Sequence, residues 1–573
     1  MKKMLAMLTV LLLLTPAALS QSTENTLCLC LPSDLQSMNV HGTVIRNLDT
    51  PALLSCAFLY RAVPDEDGQG FHYVGDLASA LPEKVDEETW NIPLRSDACW
   101  ANGDPINADT VVYSFRMLLD PALNNPVADA LADYSIRISG AMNYKAQDPI
   151  GSVSWNEVGI SAVDNETVQI RTSGMFTQEQ VAAHFIHRAT AMVYEPFYEA
   201  GMNADRTATA YGTAPDLYMS AGPYMLSGWE QGSVQTYIRN ESYWMPELFH
   251  YDGAEIRIIS SGMEQFRLWE EGRLDEIGPD ADTLRDYADD PRLQSAASME
   301  VMHLDINSEN PDNPLCGSIH YRRAIYYALN REVLARDCLG MQEPVGWYIN
   351  GQAGMLRKNG QSYRNSVYGK AVEEEVNEIG QAGYNPKLAR EELQAAWEEC
   401  GLNEGDVITL HMPVEAAADG WMKAAEYLAE DFPVIFEGRI LLETEPFSGI
   451  STAEYKRTHS NWDLSPNAWS RSLSRVYPHT CFYYFLSEYP QHPNTYLDPD
   501  FEAQYHACDA AVLEDVTLLE ETRYLEEIAL ERVVVCPVAQ VMEYRLFSER
   551  LRLPVSTYLP GIGWGLIYGW LEP

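Results

Sequence analysis

The residues of this 573-residue chain that could carry chemistry are its 12 histidines, 10 cysteines, 83 acidic side chains and a stock of 33 tyrosines and 13 tryptophans. His184 and His187, in HFIH, are three residues apart and would share a face on a helix, a spacing that suits two metal-bound imidazoles. No Cys, Asp or Glu stands at ligand spacing beside them, and two histidines do not fill a zinc sphere. Structural histidines are therefore the expectation, with no metal and no cofactor. The chain has no G-x-S-x-G elbow, no H-E-x-x-H, no phosphate-binding P-loop and no paired C-x-x-C. The glycine loop GIGWGL (561–566) has no following helix and lacks the context of a dinucleotide site. Among so many acids, close carboxylate pairs arise without any acid–base role. The sequence reads as a non-enzyme. The aromatics say more: most belong in cores, and the rest suit a wet cleft holding an extended polar ligand, because Tyr and Trp offer stiff contact area with a polar tip.

Composition sets further bounds. A formal net charge of −44 excludes a nucleic-acid partner, which would need a basic surface. The length provides for several domains with their own cores. Lys2 and Lys3 precede an apolar run, Met4–Leu14, that is too short to span a bilayer, and Ala18 and Ser20 supply small residues at −3 and −1 before Gln21. This reads as a signal peptide over residues 1–20, cleaved near Ser20. No lipid-acceptor cysteine follows the apolar run, and no later segment is a membrane span. The expectation is an exported, soluble monomer, periplasmic or extracellular. Oxidation of its cysteines is open there. Cys28 and Cys30 point the same way on a strand, and Cys316 and Cys338 flank a predicted helix, so neither pair should bridge. Cysteines in apolar runs, such as Cys99 and Cys536, read as buried thiols.

The elements that must position a site alternate throughout, which gives an α/β class. Strands are expected at 25–31, 87–94, 166–172, 222–230, 232–240, 299–307 and 406–414. A helix after Asn107 carries Val111, Val112, Phe115, Leu118 and Leu119, and Asp120-Pro121 ends it. Further helices are expected over 264–271, 321–340 and 385–400, the last capped by Asn385-Pro386 and stopped by Gly401, and two more fill 505–532. No internal repeat or long linker interrupts the order.

Four blocks in that order resemble a known family. RSDACWANGDPINADTVVYSFRMLLDP (95–121) has a tryptophan, an N/D-G-x-P turn and an A-x-D helix. SAGPYMLSGWEQGSVQTYIRNESYW (220–244) has G-P-Y, a strand pair and N-x-x-Y-W. LWEEGRLDEI (268–277) has a G-x-x-D segment, and YRRAIYYALNREVL (321–334) an R-x-A helix ending in N-R-E. Together they resemble the extracellular solute-binding proteins of peptide- and nickel-type ABC importers, and the resemblance runs over nearly the whole mature chain. It implies a two-lobed, three-domain fold that closes on a ligand about a hinge. Domain I would comprise 22–61, 172–296 and 543–573, domain II 62–171 and domain III 297–542, with crossings near Ser173, Ala297 and Tyr544. It also implies a protein that captures a peptide-like or other small ligand and delivers it to ABC importer permease subunits. A sensing or scaffolding binding protein without an importer, and an exported hydrolase, are the alternatives.

The resemblance also points to a site. In the family a third-domain segment, G-W-x-x-D-Y, pairs its main chain with the peptide, and its aspartate binds the ligand's N-terminal ammonium. The matching segment is WDLSPNAWSRSLSRVYP (462–478). Trp469 matches the tryptophan, Ala468 replaces the glycine, Ser470 follows, and Ser472 stands where the aspartate should be. Arg471 and Arg475 lie beside it and Arg457 upstream. A serine brings no charge to a buried ammonium. Either the ligand has no free ammonium there, or another acid has taken the role. From the other lobe the loop HGTVIRNLDT (41–50) offers Arg46 and Asn47, and Trp347 and Tyr348 in EPVGWYINGQ resemble the family segment that rims the pocket.

Overall fold

Local sequence explains the first lobe well. In this computed structural model the residues described are 25–42, 48–128, 136–349, 351, 355–356, 361–470, 477–487, 497–510, 515–559 and 561–572. The strands run in order β1 (Thr26–Leu31), β2 (Tyr60–Pro64), β3 (Phe71–Gly75), β4 (Glu83–Lys84), β5 (Thr89–Pro93), β6 (Ile160–Asp164), β7 (Thr167–Arg171), β8 (Tyr224–Glu230), β9 (Val234–Arg239), β10 (Gly253–Ile258) and β11 (Glu276–Ile277). One sheet has the order β1-β10-β9-β8, with β1 parallel to β10; a second has the order β4-β5-β7-β6. The Ala108–Leu118 helix begins where Asn107 and Thr110 form a reciprocal cap, and it lays Val111, Phe115 and Leu118 on the second sheet's core. Trp90 and Ile92 of β5 face Ile170 and Val168 of β7, which alternation demands of a half-buried pair. Ser173 sits inside this lobe at the end of β7, where its amide donates to Arg137 O (2.8 Å).

The second lobe holds β12 (Leu293–Ile306), β13 (Glu343–Pro344), the two-residue ladder β14 (Met355–Leu356) with β15 (Gln361–Ser362), β16 (Ile408–Glu415), β17 (Ile440–Phe447), β18 (Leu464–Ser470) and most of β19 (Cys536–Phe547). β12 and β19 are the long pair in a sheet ordered β11-β19-β12-β18. Their register runs from Leu293↔Leu546 to Ala297↔Met542, slips, and resumes at Val301↔Gln540. The slip separates two cores. Ala296, Leu546 and Phe547 pack in clusters of the first lobe, whereas Leu304, Ile306, Cys536 and Val538 pack in the second. The expected single helix over 321–340 breaks instead. Ile319–Ala328 is α-helical, Leu329 is extended, and Val333–Cys338 is a π-helical stretch. The cause is Arg331, fully buried, whose guanidinium donates to the carbonyls of Tyr326 (3.1 Å), Ala382 (2.9 Å) and Pro537 (2.6 Å) and so takes over the helix end.

Several motif residues serve as clamps. Tyr243 and Trp244 of the N-x-x-Y-W block donate to Asp76 at 2.8 and 3.1 Å, and Arg61 donates to its other oxygen at 2.8 Å. Asp275 of the G-x-x-D block accepts from Arg550 at 2.7 and 2.8 Å, from Ser548 at 2.8 Å and from the Cys28 amide at 2.8 Å. Gly222 of G-P-Y must be glycine, since a Cβ there would lie 2.6 Å from Leu54 O. All ten cysteines stand as thiols.

Candidate functional site

The place where strands pass from one lobe to the other is built by three pieces of chain. The first is the slipped stretch of β12, where the Ser298 hydroxyl accepts from the Glu300 amide at 3.0 Å. The second is the hinge end of β18, where Trp469 pairs with Val301 and Ser470 with Glu300 in antiparallel register. The third is the segment 341–351, strapped across β19. Tyr544 donates to Met341 O (2.8 Å), the Met542 amide donates to Gln342 Oε1 (2.6 Å), Glu343 and Pro344 pair with Gln540 and Ala539, and the Gly351 amide donates to Gln540 Oε1 (2.9 Å).

One carboxylate fixes that segment. Glu526, wholly buried on the Asp515–Arg532 helix, accepts from the amides of Tyr348 (3.0 Å) and Ile349 (2.9 Å), from Arg364 (2.6 Å) and from the Tyr363 hydroxyl (3.0 Å). Gly346 lets the strap lie close, because a Cβ there would fall 2.4 Å from Ala382 O. Trp347 is nearly buried, with the Arg364 guanidinium 5.3 Å from its ring centre. Tyr348 departs from the expected rim position. Its ring is fully buried, and its hydroxyl lies 2.8 Å from Val535 O and 3.1 Å from Ala529 O, so it serves the core. Burial holds the Tyr348 and Tyr363 phenols well above their ordinary value, and neither is an acid at neutral pH.

The structure brings Trp469, Ser470 and the Trp347 strap to the same crossing. Arg457 is not with them. It lies on the Thr452–Thr458 helix, 73% exposed, with Glu454 at 3.8 Å, while its neighbour Lys456 turns inward to Asp305. Arg46, Asn47, Arg471, Ser472 and Arg475 lie outside the described residues. Sequence reasoning missed Gln342, Gln540 and Glu526. For Glu526 a signal existed: it occupies a position of the buried stripe Leu518, Thr522, Leu525 and Ala529, where an acid must have partners.

β18 closes its sheet on one side. Its outer edge runs beside β16 near Asp463, whose amide donates to His411 O at 2.8 Å, but toward Trp469 and Ser470 it has no strand partner among the described residues. Such an edge presents unpaired main-chain donors and acceptors. No group of three or more His, Cys, Asp or Glu among the described residues can hold a metal, and no described helix is long and apolar enough to cross a membrane. His184 ends the Gln178–His184 helix and His187 caps the following turn, so the two do not share a helical face. A separate groove lined by Asp109, Trp155, Gly159 and Arg171 belongs to the β6–β7 region and touches none of the crossing residues.

The family model for bacterial extracellular solute-binding proteins, family 5, middle region, matches residues 72–491. The chain belongs to this family. Among curated relatives, the oligopeptide-binding protein OppA of Bacillus subtilis is 23% identical over 46% of this chain and 45% of its own length. The deoxycholate-binding periplasmic protein YgiS of Escherichia coli, described as probable, is 21% identical over 44% of each. These matches span less than half of either relative. Among solved structures, Listeria monocytogenes OppA bound to peptide superposes with a TM-score of 0.66 at 18% identity, covering 96% of this chain and all of that one. That likeness shows the two-lobed α/β fold.

Proposed function

We propose that this family 5 protein captures a peptide-like ligand between its lobes outside the cytoplasm and hands it to the permease subunits of an ABC importer. The observation that carries the reading is the open edge of β18, which ends in register with Glu300 at the interlobe crossing. An extended peptide can add to such an edge through main-chain hydrogen bonds and leave its side chains to pockets. Family membership and the peptide-binding relative support the ligand class. Trp347, Trp469, Ser470, Arg471 and Ser472 are the residues we assign to that contact, with Arg46 and Asn47 from the first lobe. We set the lobe boundary at 296/297 and 542/543, between Ala296 of one core and Val301 of another. Export as a monomer, with the signal peptide removed near Ser20, completes the reading.

Native mass spectrometry of the purified full chain tests it. The expected result is a bound peptide released under mild denaturation, with micromolar or tighter rebinding by calorimetry. A protein that carries no peptide and takes up none from a mixed digest would overturn the ligand class. A bound sterol-like acid would move the reading toward the class named for YgiS.

A further inference from the structure

The outer edge of β18 offers a ligand less than an open strand normally does. The β12–β18 pair is antiparallel, with Ile306 opposite Leu464 and Val301 opposite Trp469. Just beyond it the Asn307 amide donates to Asp463 O at 3.0 Å. Antiparallel pairing alternates, so every second residue from Asp463, namely Ser465, Asn467 and Trp469, turns its main-chain groups toward β12. Pro466, Ala468 and Ser470 turn theirs outward, where no strand pairs with β18 among the described residues. Pro466 fits that parity, because a strand tolerates proline where the missing N–H would face outward. Ala468 is exposed, and its amide donates to Asn467 Oδ1 at 2.9 Å. The same carboxamide donates from Nδ2 to Asp305 Oδ2 at 2.9 Å. A main-chain amide only gives and a carboxylate only accepts, so the two contacts fix which end of Asn467 points where. Asp305 is wholly buried, with Lys456 bonded to Oδ2 and His303 Nε2 3.0 Å from Oδ1. Burial pulls its carboxyl up, but Lys456 and His303 outweigh burial and hold it below the ordinary carboxylate range. It stays charged, and the Asn467 carboxamide is anchored.

We propose that Asn467 is a specificity-determining residue that withholds the Ala468 amide from the ligand. Along 466–468 the edge then presents carbonyl acceptors and no free main-chain donor: proline has none, and that of Ala468 is taken. A peptide added there donates its N–H groups to Pro466 O and Ala468 O, but its own carbonyl opposite Ala468 finds no donor on the strand. Main-chain recognition is one-sided at this point, and more of the choice among peptides passes to the pockets that take their side chains. The inference rests on the reading of a peptide captured at the β18 edge. The cap on Ala468 does not, so the two are tested apart.

The cap is read on the ligand-free full chain by hydrogen exchange, resolved to single residues by mass spectrometry with electron-transfer fragmentation. The Ala468 amide should be protected in the wild type and lose that protection in Asn467→Ala, after correction for the neighbouring side chain's effect on the intrinsic rate. The role in binding is read with one mixed tryptic digest offered to both proteins, followed by calorimetry on the peptides retained. Asn467→Ala should keep every peptide the wild type keeps and bind each about two- to tenfold tighter, the net worth of one main-chain hydrogen bond returned to the edge. An Ala468 amide that exchanges at the open rate in the wild type, or affinities that stay level or fall in the variant, would overturn this inference and leave the peptide reading standing. Retention of no peptide by either protein would overturn that reading and this inference with it. Wild-type exchange decides the cap even where the variant fails to fold.

Discussion

At the scale of residues, the resemblance sets Ser472 where the family segment G-W-x-x-D-Y carries its aspartate. A serine accepts a hydrogen bond but supplies no charge, and removing the acid from a buried pair costs several kcal/mol. N-terminal acetylation of a bound peptide should therefore change wild-type affinity little, and Ser472→Asp should create a preference for the free amine. Calorimetry with paired peptides measures both; loss of wild-type binding on acetylation would mean that another acid serves. Histidines give a second residue-level expectation. Burial lowers the imidazoles of His41, His184 and His187 to about 3 from 6.5. A depressed folded-state value means the unfolded chain takes up protons first. The stability these groups contribute is whole above about pH 6.5 and is lost as pH falls toward 3. Denaturation midpoints between pH 7 and 4 should fall more steeply in the wild type than in His184→Gln; parallel curves would dismiss the effect. These residues also show what was legible in sequence. Three of the four blocks that betray the family deposit Asp275, Tyr243, Trp244 and Arg331 in clamps that shape each lobe. Fold was readable for that reason, and the ligand was not, because the residues assigned to it, such as Arg46, Asn47 and Ser472, form no local pattern that names a ligand.

At the scale of elements, the strap 341–351 depends on a single helix position. Glu526→Ala would leave Arg364 buried without its carboxylate and the Tyr348 and Ile349 amides without an acceptor. Breaking a buried pair in this way costs about 3–5 kcal/mol. Chemical denaturation should show that loss, and ligand affinity should fall with it. A cost under about 1 kcal/mol would show that the strap is held by its packing alone. Element boundaries were legible where local chemistry decides them, as with the Asn107 cap and the Gly401 stop. They failed at 329–330, where a helical pattern runs on in sequence but the buried Arg331, bonded to carbonyls from three separate segments, overrides it. Tyr348 was misjudged for a related reason. Its contacts are with Val535 and Ala529, more than 180 residues away, and no local pattern announces them.

At the scale of the whole molecule, two cores joined by one strand pair make a hinge. We propose the pivot at the register slip between Ala297 and Val301, facing Gln540–Met542. Saturating ligand should reduce the radius of gyration in solution scattering, and an unchanged radius would argue against closure about this pivot. The same strand pair has a consequence for how the chain comes together. β19 and the segment after it complete the first lobe: Phe547, Leu551, Trp564 and Ile567 pack with Leu27 and Ile256, and Arg550 holds Asp275. The lobe begun by the earliest residues thus waits for nearly the last. Contacts between positions more than 500 apart carry a large loop-closure entropy until the second lobe has formed and shortened the path. During synthesis the core around Leu27 and Ile256 is thus left unfinished until the last strands are made, whereas the core between Leu35 and Ala221 needs nothing from them.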